Sequence, residues 1–226
     1  MINKYLKNYL IFIFIFIFLL KKCFSNEAHL NLISILELNY PLEFTFEQKY
    51  QNDILDGWMV IKGNGKARTE FAPPNNNLIV ADGKWVMFYD PEIDRTTYIP
   101  LDEGIFKALL KPEALAEDKI IDIKETKVKD RIIYTLAFNI KNAKKKIILF
   151  FDKTSKNLLG WRLYEDLNDY IEVKVINHKK FSMGDKKKLK KIFKLNESKS
   201  KIGMEYFGPY ENRKVKKFLG GGKLQQ

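Results

Sequence analysis

Ile79-Val80-Ala81-Asp82-Gly83-Lys84-Trp85-Val86-Met87-Phe88-Tyr89-Asp90-Pro91 is the stretch on which the fold turns. Two short runs rich in Val, Ile, Phe and Tyr are joined by Asp-Gly and stopped by Asp-Pro, the pattern of a β-hairpin followed by a second turn. Gly83 supplies the positive φ that such a turn needs. Most of the chain on either side repeats the same cadence of apolar run, polar turn, apolar run, which predicts an antiparallel sheet.

Upstream, Leu42 to Tyr50 alternates strictly, with Leu42, Phe44, Phe46 and Gln48 on one face and Glu43, Thr45, Glu47 and Lys49 on the other, as a half-buried strand does. Trp58-Met59-Val60-Ile61-Lys62 is apolar on both faces, Gly63-Asn64-Gly65 is a turn, and Lys66 to Phe71 is the next strand. Before these, Ala28 to Leu38 spaces Leu30, Ile33, Leu36 and Leu38 as a short amphipathic helix ended by Asn39-Tyr40-Pro41. Downstream, Thr96 to Ile99 reads as a strand, and Gly104 to Ala116 changes period. There Ile105, Phe106, Leu109 and Leu110 form one helical stripe, with Pro112 dividing the helix, and this helix among strands is a candidate lid. Strands resume at Ile120 to Thr126, Ile132 to Ile140, Lys146 to Asp152, Leu158 to Tyr164, Tyr170 to His178 and Ile192 to Leu195. The expectation is about ten or eleven strands with two or three helical pieces.

Charge divides the chain of 226 residues. Up to Ser25 there are four Lys and no acid, and Tyr9 to Leu20 is an unbroken apolar run of 12 residues. That is short for a span of about 20 residues and right for a signal peptide, with Cys23 and Ser25 as the small residues before cleavage. The domain division expected is signal peptide 1–25, a folded domain 26–195, and a basic flexible tail 196–226. From Lys179 onward there are 15 basic and four acidic residues, so the basicity of the whole, +12, sits at the two ends. For this end a solvated segment and contact with an anionic membrane surface compete, and export argues against nucleic acid.

The catalytic inventory is thin. His29 and His178 are the only histidines and Cys23 the only cysteine, which removes Cys/His nucleophilic sites and most zinc sites. Asp82, Asp90, Asp94 and Asp152 stand in turn contexts where Asp is ordinary. No enzyme, metal or cofactor is expected, and no carboxylate constellation supports a hydrolase. The apolar inventory is richer: Phe44, Phe46, Met59, Ile61, Phe71, Ile79, Val86 and Phe88 on successive strands, with Ile105, Phe106, Leu109 and Leu110 above them. Read plainly, these are a packed core under a helix; read functionally, they line a cavity for an apolar ligand.

The order Phe46-Glu47-Gln48-Lys49, then Gly57 to Phe71, then Val80 to Lys84 running into Phe88-Tyr89-Asp90-Pro91 and Arg95-Thr96-Thr97, resembles the LolA family of periplasmic lipoprotein carriers. The residues carrying the resemblance are Gln48, Arg68, Glu70, Asp82, Gly83, Tyr89, Asp90 and Pro91. It implies a mainly β fold, a single curved antiparallel sheet forming an unclosed barrel with a helical lid, whose hollow takes the acyl chains of lipoproteins. It also implies a monomer in the periplasm that accepts cargo from an inner-membrane ABC transporter and passes it to a LolB-like outer-membrane receptor. Arg68-Thr69-Glu70 stands where the family has Arg-Trp-Glu, so the ring is missing. Gly63 and Asn64 occupy the positions of an Arg-Pro pair whose arginine bonds the lid, so Lys62 or other contacts must close it. The alternative, from another class, is a membrane-anchored lipid-binding or sensor module that keeps its N-terminal run.

Overall fold

The computed structural model describes residues 27–103, 107–111, 113, 120–140, 143–164, 169–180, 192–194 and 207–210. The expected signal peptide, Ile105, Phe106, Pro112, Leu195 and most of the basic end lie outside these. Helix α1 (27–39) leads into β1 (Leu42–Tyr50), β2 (Asp53–Gly63), β3 (Lys66–Phe71), β4 (Leu78–Asp82), β5 (Trp85–Asp90) and β6 (Arg95–Pro100). A 3-10 turn at Leu101–Glu103 and the short helix α2 (Lys107–Leu110) follow. Then come β7 (Ile120–Val128), β8 (Arg131–Ile140), β9 (Ala143–Asp152), β10 (Leu158–Tyr164) and β11 (Tyr170–Lys180).

All eleven strands form one antiparallel sheet in the order β6-β5-β4-β3-β2-β1-β11-β10-β9-β8-β7. Two meanders, β1 to β6 and β7 to β11, are joined edge to edge by the β1–β11 pair, in which Phe46 faces Val175 and Gln48 faces Val173. The sheet ends at β6 and β7, so it is an unclosed barrel with helical elements on its inner face.

The Asp-Gly hairpin folds as its residues dictate. Asp82 Oδ1 accepts from the amides of Lys84 and Trp85, both at 2.8 Å, and Gly83 has φ 105°. Asp90 repeats the device one turn later, accepting from the Glu92 amide at 2.9 Å, and the Tyr89 hydroxyl donates to Asp94 at 3.3 Å. These motif residues build turns.

Helix α1 buries Ala28, Leu32, Ile35, Leu36 and Asn39, a stripe at i, i+4, i+7, i+8 and i+11. Leu30 and Leu38, expected on the inner stripe, are 56% and 66% exposed, because neither falls on the arc that this spacing defines. Asn31 Nδ2 donates to Glu125 on β7, and Asn39 ties the helix end to the β9–β10 turn through the Lys156 carbonyl and the Leu158 amide. Around α1 the buried Ile123, Ile132, Tyr134, Leu136, Ile147, Leu149 and Phe151 make an ordinary packed core.

The opposite face is also covered. Trp58 and Val60 on β2 are buried under Ile192, Phe193, Phe207 and Tyr210. Ile192 and Phe193 form a helical turn, not the strand expected at Ile192 to Leu195. They face a sheet whose two edges, β6 and β7, lie elsewhere, so they pack across the strands instead of extending them. Residues 207–210, beyond the domain edge placed at Leu195, are likewise held against the sheet.

Candidate functional site

The register sets the inner face of β1 to β5 in cross-strand rows. One row runs Leu42, Ile61, Ala67, Ala81, Val86. The next runs Phe44, Met59, Thr69, Ile79, Phe88, and a third runs Phe46, Gly57, Phe71. A fourth crosses into the second meander as Gln48, Val173, Trp161. Side chains directly opposite in such rows lie about 5 Å apart and normally fill the space between them. Here the middle of the rows is small: Ala67 faces Ala81, and Thr69 stands beside them.

The result is an apolar hollow of about 700 Å³ of space free of protein atoms, solvent at its mouth included. Its walls are Phe46, Met59, Phe71, Ile79, Val86 and Phe88 from the first meander, Trp161, Leu163, Ile171 and Val173 from the second, and Leu110 from α2. Ala67 and Ala81 form its small-residue side; Gln48 and Thr69 are polar side chains on it among the described residues.

Of the twelve cavity residues expected from sequence, seven line this hollow: Phe46, Met59, Phe71, Ile79, Val86, Phe88 and Leu110. Phe44, Ile61 and Leu109 do not; they are buried in the surrounding packing. Phe44 is held edge-on between Trp161 at 6.2 Å and Phe46 at 6.4 Å, so its ring supports the wall from behind. Ile105 and Phe106 lie outside the described residues. Trp161, Leu163, Ile171 and Val173 were missed. Their alternation within β10 and β11 was visible, but nothing local says that β11 returns to pair with β1.

Aromatic rings stiffen the floor. Phe46 meets Phe71 edge to face at 5.6 Å, and a Cβ built on Gly57 would lie 2.2 Å from the Phe46 ring. The ring therefore occupies the volume that glycine leaves.

Above the hollow, α2 is held by backbone contacts. The Gly65 amide donates to the Leu110 carbonyl at 2.7 Å, and the Tyr40 hydroxyl donates to the Leu109 carbonyl. Burial, and then the Glu113 carboxylate, raise the Tyr40 phenol well above its ordinary pKa, so it remains a donor. Gly65 is needed on two counts: φ is 75°, and a Cβ would stand 2.8 Å from Gly83 Cα and from Leu101. Lys62 is exposed and has no hydrogen bond to α2 among the described residues. The tip of the β2–β3 turn and Tyr40 together hold α2, the other contacts expected in place of an arginine latch.

On the reverse of the same wall, Arg68 and Glu70 are 3% and 0% exposed and joined at 2.6 Å. Among the described residues, no group of three or more His, Cys, Asp or Glu is placed to hold a metal ion, and no helix is long and apolar enough to cross a membrane.

The family model described as outer membrane lipoprotein carrier protein LolA matches residues 41–207. No curated protein matches the chain. Among solved structures, a LolA superfamily protein from Nitrosomonas europaea is similar at 10% identity, covering 76% of this chain and 97% of that chain, with a TM-score of 0.43. A chain of the Pseudomonas aeruginosa MucA/MucB complex is similar at 15% identity over 72% of this chain and 60% of that one, TM-score 0.41. The Mycobacterium tuberculosis lipoprotein LppX is similar at 8% identity over 70% and 97%, TM-score 0.36.

Proposed function

The chain belongs to the LolA family, and from that premise we propose that it is a periplasmic, non-enzymatic carrier that shelters the acyl chains of lipoproteins in its hollow between the inner and outer membranes. The observation that carries this reading is the pairing of Ala67 with Ala81 amid large apolar residues. A sheet selected only for stability would fill that space, since a void forfeits dispersion contacts on all its walls.

The affinity must be moderate. Burying hydrocarbon is worth about 0.8 kcal/mol per methylene, so a chain of about fifteen methylenes would gain roughly 12 kcal/mol before costs. A carrier gripping that hard would not release. An open-edged sheet, a lid helix held among the described residues by two hydrogen bonds to its backbone from Gly65 and Tyr40, and a wall interrupted by Gln48 and Thr69 all lower the net gain. Delivery partners of the ABC-transporter and LolB-like kinds, and export with cleavage before Asn26, belong to the same reading.

The direct test is mass spectrometry of what co-purifies with the protein from its native envelope, alongside uptake of a fluorescent fatty-acyl probe. Acylated species bound at one per chain are expected. Protein free of lipid that also fails to take up the probe sinks the proposal.

A further inference from the structure

The reverse of the cavity wall carries a second built site. Glu70, fully buried, accepts at Oε1 from Arg68 Nε at 2.6 Å and from the Phe207 amide at 2.8 Å, and at Oε2 from the Gly208 amide at 2.8 Å. Arg68 Nη1 donates to the Ile192 carbonyl at 3.1 Å, and its guanidinium lies 4.8 Å from the centre of the Phe207 ring. A Cβ on Gly208 would fall 2.9 Å from Glu70 Oε2 and 3.2 Å from the Trp58 ring. A buried carboxylate bonded to two successive amides, a cation over the first ring and a tryptophan face against the next residue together recognise an aromatic-Gly pair.

This clamp and the cavity share their framework. On β3, Arg68 and Glu70 face the clamp while Thr69 between them lines the hollow. On β2, Trp58 and Val60 lie beneath residues 207–210 while Met59 between them lines the hollow. Because successive side chains point to opposite faces, neither strand can shift for one site without shifting for the other.

We propose that Phe207–Tyr210 is a strap whose seating on the Arg68–Glu70 clamp is thermodynamically linked to cargo in the cavity, the seated strap holding the β2–β3 wall open for an acyl chain. The linkage rests on the carrier reading above. Seated, the strap covers Trp58 and Val60 and presets the wall, which favours binding by preorganisation. Released, it leaves those side chains covered by Ile192 and Phe193 alone and the wall free to sag into the hollow. Linkage is reciprocal, so cargo must tighten the strap by the factor by which the strap tightens cargo.

The test is hydrogen exchange at the Phe207 and Gly208 amides of the full chain, with and without a saturating fluorescent fatty-acyl probe. These amides sit on the face away from the probe. At least three-fold slower exchange with probe is expected. Gly208→Val, which forces a side chain against Glu70 and Trp58 on the reverse of the sheet and leaves every cavity-lining residue unchanged, should weaken the probe at least three-fold. Phe207→Ser, which takes the ring from beneath Arg68, should do the same. Normal probe binding with unchanged amide exchange, or wild-type affinity in both variants once their amides exchange freely, overturns the linkage and leaves the carrier reading standing. Absence of probe binding to the wild-type chain overturns both.

Discussion

Replacing Ala81 by Leu separates a hollow from a packed core. Ala81 is 2% exposed, faces Ala67 across β3–β4 and lines the cavity. Leu adds three carbons. In a filled core, such an insertion costs about 1–3 kcal/mol through strained rotamers and backbone shifts. In this hollow the carbons have somewhere to go, and at about 0.8 kcal/mol per buried methylene the chain should gain up to roughly 2.4 kcal/mol. The same carbons exclude about three methylenes of cargo, which weakens acyl binding by a similar energy, roughly fifty-fold. Urea unfolding of Ala81→Leu in the absence of lipid, and titration with a fluorescent fatty-acyl probe, read the two quantities. A raised midpoint with lost binding is expected; a lowered midpoint with binding retained refutes the hollow and the reasoning built on it.

Removing the Tyr40 hydroxyl with Phe should loosen the lid by about 1 kcal/mol, the net worth of one hydrogen bond, and speed probe dissociation roughly five-fold in a stopped-flow chase. Gly57→Val should drive the Phe46 ring from its place and lower stability by about 1–3 kcal/mol, read as a drop in the urea midpoint. His29, whose Nε2 is buried without a hydrogen-bond partner among the described residues, has its pKa lowered by burial from 6.5. Below 6.5 the unfolded chain therefore binds more protons than the folded one, so stability should fall as pH drops through that value, and His29→Gln should abolish that slope. Burial raises the Glu125 pKa, but hydrogen bonds from Lys127, Asn31 and Tyr134 outweigh it and leave the pKa below 4.5. Its contribution should persist to lower pH and vanish only as pH falls through its folded value, so Glu125→Gln should flatten the acid limb of the stability curve alone.

Local chemistry was readable wherever the deciding contacts were local. Asp82-Gly83 specifies its own turn, and the alternation of Phe44, Phe46 and Gln48 specifies which face of β1 is inner. Leu110 came from the same kind of periodicity. The far wall was hidden because the β1–β11 pairing joins segments separated by most of the chain, and no short-range pattern encodes that return. Helix α1 was assigned to the right place with the wrong stripe: Leu30 and Leu38 are as apolar as Leu32 and Ile35, and only the packed sheet distinguishes them. The reverse layer had one visible trace, the apolarity of Trp58 and Val60 on the face opposite Met59. The partner that explains it, Phe207, sits in the short aromatic stretch Met204 to Tyr210 of an otherwise polar end, and nothing local says that this stretch returns to β2.

The strand order that starts at β6 and stops at β7 has a mechanical consequence. A ring of strands has its circumference set by strand number and stagger. An arc does not. This one can tighten or relax its bend with every rung between neighbours intact, so its bore can follow guests of different girth at the cost of bending alone.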